Sequence, residues 1–166
     1  EQAVTQGVAR LGCNRDEGGL REVAVVLAEL GRAACPAPMW SAALANFALS
    51  TSQSEPAGDL LKKLHAGSAR VAFSFGALDP DRGTGSIRVR DDRAGGLLRL
   101  VEAAGSCTHL LVAIDRAVLG LVALDAAGVE VAPTRAMGAW GFYEIRLNAA
   151  LVTLIALDDD LLDDLM

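Results

Sequence analysis

Apolar residues recur at helical spacing in the first third of the chain and at every second position after it. In "GGLREVAVVLAELGRAACPAP", Leu20, Val23, Leu27 and Leu30 make a stripe that Val26 widens, with Arg21, Glu22, Glu29 and Arg32 mainly opposite. That period is the signature of an amphipathic helix. Gly31 lies near its end, and Pro36 and Pro38 forbid continuation. "MWSAALANFALS" predicts a second helix. "SEPAGDLLKKLHAG" predicts a third, with Leu60, Leu61 and Leu64 on one face, Lys62 and Lys63 opposite, and Gly67 suited to the C-terminal stop. The first residues, "EQAVTQGVARLG", fit the tail of a further helix.

After Gly67 the period changes to two. "ARVAFSF", "GSIRVR", "GGLLRLVEA", "THLLVAI", "LGLVALD", "VEVAP", "FYEIRLN" and "LVTLIAL" each have strand length, and turn residues such as "DAAG", "RAMGAWG" and "LNAA" separate several of them. A row of short strands without intervening helices predicts an antiparallel barrel or sandwich. The fold class expected is therefore α+β: a helical segment followed by an antiparallel β-barrel or β-sandwich. The expected division is a helical domain over 1–68, a β domain over 69–157 and the start of a helical region at 158–166. In that last stretch Asp158, Asp159 and Asp160 suit a helix N-terminus, where the dipole favours negative charge. An EF-hand reading of these aspartates fails, because the glycine of the turn and the distant glutamate are missing.

Composition narrows the function. The chain has 166 residues and is 52% hydrophobic, enough for a sizeable core. Its 15 basic and 21 acidic residues give a net charge of −6, which argues against nucleic acid, since that partner demands clustered Lys and Arg. Cys13, Cys35 and Cys107 are odd in number and far apart, as expected of thiols in a reducing compartment, and no pair has metal-ligand spacing. No basic, apolar leader is visible, and Asp115, Arg116 and Asp125 interrupt the most hydrophobic region, so no membrane span is expected. The expected location is cytoplasmic.

Three stretches resemble the N-terminal and middle regions of flavin-dependent acyl-CoA dehydrogenases. "DEGGLREVAVVLAELGRAACPAP" is similar to that family's glycine-glycine-leucine helix and proline-rich turn. "SAALANFALS…LLKKLHAGSARVAFSF" is similar to the next helices and the entry into its β domain, and "GVEVAPTRAMGAWGFYEIRLNAALV" to its late middle-domain strands. The resemblance implies a C-terminal helical bundle that these residues do not contain, and a helical segment shorter than the family's. It implies FAD as cofactor and an acyl-CoA thioester as substrate. A carboxylate removes the proton alpha to the thioester and a hydride leaves the beta carbon for the flavin. The family's base comes from the bundle, so no catalytic residue is assigned here.

The same resemblance places cofactor contacts on two segments. The strand ending in "VAFSFGALDPDRGTG" leads to Leu78, Asp79 and Pro80, where the family has Thr-Glu-Pro. Gly83 and Thr84 then fall at the substrate-facing Gly-Ser-Asp. Proline and glycines suit a loop whose backbone approaches a ligand, but Leu78 lacks the hydroxyl. The family's Phe-Trp-Ile-Thr strand falls near Leu100, Val101 and Glu102; Leu100 supplies no aromatic platform, and Glu102 brings a negative charge. Both motifs are degraded. This resembles the second half of two-part bacterial dehydrogenases acting on steroid side-chain CoA esters. In those, one half keeps flavin and base and the other completes the assembly as a separate subunit or tandem fusion. The partners implied are an acyl-CoA and a homo- or hetero-oligomeric or tandem second half. The alternative function is a non-catalytic structural or acyl-CoA-binding half.

The other chemistry-bearing residues read as structural. His65 suits a solvated helix end. Cys107 and His109 give only two ligands, too few for a metal site. Trp40 is expected to anchor the core between helices, Trp140 to pack in a turn, and "VRDDR" at 89–93 to form a solvated hairpin tip.

Overall fold

A computed structural model describes residues 8–13, 18–35, 38–76, 85–134 and 141–157. Three helices come first: α1 (Leu20–Arg32), α2 (Met39–Ser50) and α3 (Glu55–His65). Eight strands follow: β1 (Val71–Ser74), β2 (Gly85–Arg90), β3 (Arg93–Glu102), β4 (His109–Asp115), β5 (Val118–Ala123), β6 (Val129–Pro133), β7 (Phe142–Leu151) and β8 (Thr153–Ala156). Each predicted strand corresponds to one of these. The expected helix over 158–166 and Trp140 lie outside the described residues, and Val8–Arg10 forms a single 3₁₀ turn.

The strands form two open four-stranded sheets, ordered β1-β4-β5-β8 and β2-β3-β7-β6. Neither closes into a barrel. Every pairing is antiparallel but one: β1 runs parallel to β4, with Val71 opposite His109. The chain reaches β4 from β1 by way of the β2–β3 hairpin in the other sheet, so the two sheets are laced together.

The first sheet is the middle of three layers. Leu111, Ala113, Leu119 and Ile155 face α2 and α3, where they meet Leu44, Leu49, Leu60 and Leu64. Alternate residues Ala72, Leu110, Val112 and Val122 face the second sheet and meet Leu98, Val101, Ile145 and Ala150. Burial on both faces explains why the runs Val71–Phe73 and Leu110–Ala113 are continuously apolar, while β2, with only one covered face, alternates Ile87 against Arg88.

The N-terminal strap is fixed by a buried polar anchor. Asn46, almost fully buried on α2, donates to the carbonyls of Ala9 (2.8 Å) and Leu11 (2.9 Å). Among the described residues no buried side-chain polar atom lacks a partner.

Two expectations about packing are corrected. Trp40 is not a core anchor; it is 45% exposed at the first turn of α2, whose buried face is built from Ser41, Ala43, Leu44 and Ala45. The stripe of α1 is mostly uncovered: only Val23 is buried, Leu20 is exposed, and Leu27 and Leu30 are half-buried. Among the described residues this helix packs mainly on α2. Among the described residues no helix is long and apolar enough to cross a membrane.

Candidate functional site

The residues flanking the predicted loop meet β3 at one end of the second sheet. Leu78, Asp79, Pro80, Gly83 and Thr84 lie outside the described residues, but the residues on either side of that loop are placed. Gly76, before it, is buried so tightly against Leu98 that a Cβ there would run into the Leu98 side chain. Gly85, after it, pairs with Leu98 across β2 and β3 at a φ of +96°, a conformation that favours glycine. Both ends of the loop therefore meet β3 at Leu98, two residues before Leu100.

β3 is bulged at this point. Leu98 pairs with Ile145 and Val101 with Tyr143, so Arg99 and Leu100 together oppose Glu144 alone. The extra residue is Leu100, held at φ +56° and 49% exposed. An L-residue in that region costs about 1–2 kcal/mol, and such strain collects where a strand re-aims a side chain. The bulge returns Val101 to the inter-sheet core, 2% exposed, so its side chain belongs to packing.

Glu102 is half-buried, and burial pushes its carboxyl pKa up, favouring the neutral acid. Its neighbourhood includes Cys107, whose thiol is also pushed up by burial, opposed by Arg70 and a hydrogen bond from Ser106 and reinforced by the Glu102 charge. A thiol raised in this way is a poor nucleophile. His109 is pulled down by burial and then by Lys63, against Asp125, and its Nδ1 lies 2.8 Å from the Thr108 hydroxyl. Among the described residues no three His, Cys, Asp or Glu side chains gather as metal ligands. His65, expected to be solvated, is half-buried with Nε2 3.3 Å from Cys13 Sγ.

Just beyond the bulge an open groove of about 660 Å³ runs over the outer face of the second sheet. Gly85, Ser86, Leu97, Arg99, Arg146 and Asn148 line it, but Leu100, Val101 and Glu102 do not. Charges alternate along its edge, Arg99 to Glu144 at 3.8 Å, Glu144 to Arg146 at 3.3 Å and Arg146 to Glu130 at 3.9 Å, with Glu144 outside the lining itself. These exposed pairs contribute little to stability, about 0–1 kcal/mol each. The groove offers hydrogen-bond donors and cations and, among its described residues, no nucleophile–base pair. This charge row was not singled out in the sequence. Its parts come from three strands, and only the alternation of Glu144 and Arg146 with Ile145 and Leu147 marks one edge of it.

No protein-family model matches the sequence, and no curated protein matches it. Solved structures do match. A variant of the Tcur3481-Tcur3483 steroid ACAD superposes with a TM-score of 0.77 at 23% identity, over 93% of this chain and 46% of that one. The ChsE4-ChsE5 complex from Mycobacterium tuberculosis gives 0.77 at 20% identity, over 97% and 48%. An acyl-CoA dehydrogenase from Geobacillus kaustophilus gives 0.70 at 15% identity, over 98% and 51%. The chain has an acyl-CoA dehydrogenase-like fold and spans about half the length of the solved chains it matches.

Proposed function

We propose that this chain supplies the helical and middle β portion of a flavin-linked acyl-CoA dehydrogenase assembly, as the half in which the flavin rim is degenerate. The substrate class is an acyl-CoA thioester, with a steroid side-chain ester as the specific expectation. When bound in such an assembly, FAD supplies the hydride acceptor. The other half, a partner subunit or tandem segment, supplies the flavin contacts and the catalytic base. The likeness to a steroid ACAD and to a structure that is itself a complex supports this division.

One observation carries the reading: both ends of the predicted loop and the bulged strand meet at Leu98, where the resemblance expects a flavin rim, yet the side chains there do not suit a flavin. Leu100 presents an aliphatic surface without a ring or a hydrogen-bonding group. Val101 is buried, and Glu102 brings a half-buried carboxyl whose pKa burial raises. The described residues do not fit FAD, so no step through it is assigned to this chain.

The visible spectrum of the full-length native protein, purified with its partner and without added flavin, tests the proposal. A flavin band is expected, and it should survive Leu100→Ser, a change at an exposed site that leaves the core intact. Loss of the band in that variant would make this rim the cofactor site and overturn the degenerate-half reading. Absence of any flavin band in the assembly would overturn the dehydrogenase reading itself.

A further inference from the structure

On a chain of net charge −6, the outer face of the second sheet carries five arginines, Arg88, Arg90, Arg93, Arg99 and Arg146, along with Glu102, Glu130 and Glu144. Glu144 pairs with Arg99 and Arg146, and Glu130 with Arg146, at the groove end. The other three arginines stand at the hairpin end, around a separate hollow of about 390 Å³ lined by Arg88, Arg90, Arg93, Ala94, Gly95 and Ala149.

The register puts these guanidinium groups together. Arg88 and Arg90 are two apart on β2 and so share a face, about 7 Å apart along the strand. Arg93 stands directly opposite Arg90, and Gly95 directly opposite Arg88. Like charges directly opposite each other destabilise an antiparallel pair, so this hairpin carries a cost that a bound anion would remove. Arg93 is held in place by the Ala149 carbonyl at 3.3 Å and by Asp92 at 3.5 Å. Among the described residues Arg88 and Arg90 have no ion-pair partner. The floor stays open because Gly95 and Ala149 carry little or no side chain. Ala149 is turned by a bulge of its own, at φ +50° between the Ala94–Ala150 and Gly96–Leu147 pairs.

We propose that this hollow is a subsite for a phosphate group. Guanidinium forks match the oxygen geometry of phosphate and bind it through charge-assisted hydrogen bonds. The alternative occupant, an acidic protein segment, fits less well. Protein contacts need an apolar anchor in a pocket, and the lining contains nothing apolar larger than alanine. The subsite does not depend on the dehydrogenase reading, since its residues lie at the opposite end of the hairpin from Gly85 and Leu98.

Thermal unfolding of the full-length native protein, with inorganic pyrophosphate titrated at constant ionic strength, provides the test. A ligand of the folded state raises the melting temperature saturably. The wild type and Arg32→Gln, altered on α1, are expected to show that rise. Arg88→Gln and Arg90→Gln are expected to shift its midpoint to at least fivefold higher pyrophosphate. Arg90→Gln, relieved of its like-charged neighbour, should also start from a higher melting temperature without pyrophosphate. No saturable rise in the wild type would overturn the proposal, as would an unchanged midpoint in both Arg88→Gln and Arg90→Gln. A penta-aspartate peptide acting at lower concentration than pyrophosphate, and losing its effect in the same variants, would assign the hollow to an acidic chain instead.

Discussion

Glu102 sits where the sequence places a cofactor contact, but its clearest physical property is the cost of its charge. Burial raises its carboxyl pKa above the ordinary 4.5, so the native state holds the proton more tightly than the unfolded state does. The linked stability is present below the unfolded pKa and is lost as pH rises through the raised folded value. Glu102→Gln keeps the shape and removes the charge. Its denaturation midpoint should exceed that of the wild type at neutral pH, and the difference should close as pH falls below the carboxylate range. A difference that persisted in acid would mean that the carboxyl is not held out of water. His109 has the opposite sign: its lowered pKa makes its contribution full at neutral pH and lost in acid. It is common to both proteins and cancels in the comparison. Sequence alone reaches the identity of Glu102 but not its burial, which depends on the left-handed Leu100 turning β3 just before it.

At the level of elements, the ends of α1 and α3 share one cap and differ in how well the sequence suits it. After α3, Ser68 donates its N–H to the Lys63 carbonyl and Gly67 to Leu64, with Gly67 at φ +71°. After α1, Cys35 donates to Leu30 and Ala34 to Gly31, with Ala34 at φ +49°. Both are Schellman caps, but only α3 has glycine at the left-handed position. Ala34→Gly is therefore expected to stabilise the protein by somewhat less than about 1 kcal/mol, and Gly67→Ala to destabilise it by about 1 kcal/mol. Urea unfolding of both variants checks this, and equal effects of the same sign would refute the cap assignment. Gly67 was legible as a helix stop. Gly31 lies near the end of α1, as expected, but the left-handed reversal falls on Ala34, a residue that gives no such signal. The eight strands were legible because alternation and turn residues are local. The parallel β1–β4 pair and the bulges between β3 and β7 were not, since they arise from how strands meet across the core.

At the level of the whole molecule, the sequence divides the chain at residue 68, where the hydrophobic period changes, but the core does not respect that division. The first sheet has one face on the helices and the other on the second sheet, and adjacent residues of one strand serve both: Leu111 packs with Leu44 and Leu49, Leu110 with Leu98 and Ile145. The Ser52 hydroxyl also donates to the Ala156 carbonyl at 2.6 Å, tying the α2–α3 turn to β8. A helical layer that melted alone would expose one face of β1, β4, β5 and β8 at once. Helices and sheets should therefore unfold together. Leu44→Ala, which opens a cavity on the helical side, should lower stability by about 3 kcal/mol. It should weaken amide-exchange protection in β4 and in α2 to the same extent. If α2 lost protection while β4 kept the wild-type value, the helical segment would be a separately stable unit and the boundary at residue 68 a true domain boundary. Equal loss would make the middle sheet the element that joins both parts into one folding unit, and would hold the loop ends at Gly76 and Gly85 in register with Leu98 only while the helices are in place.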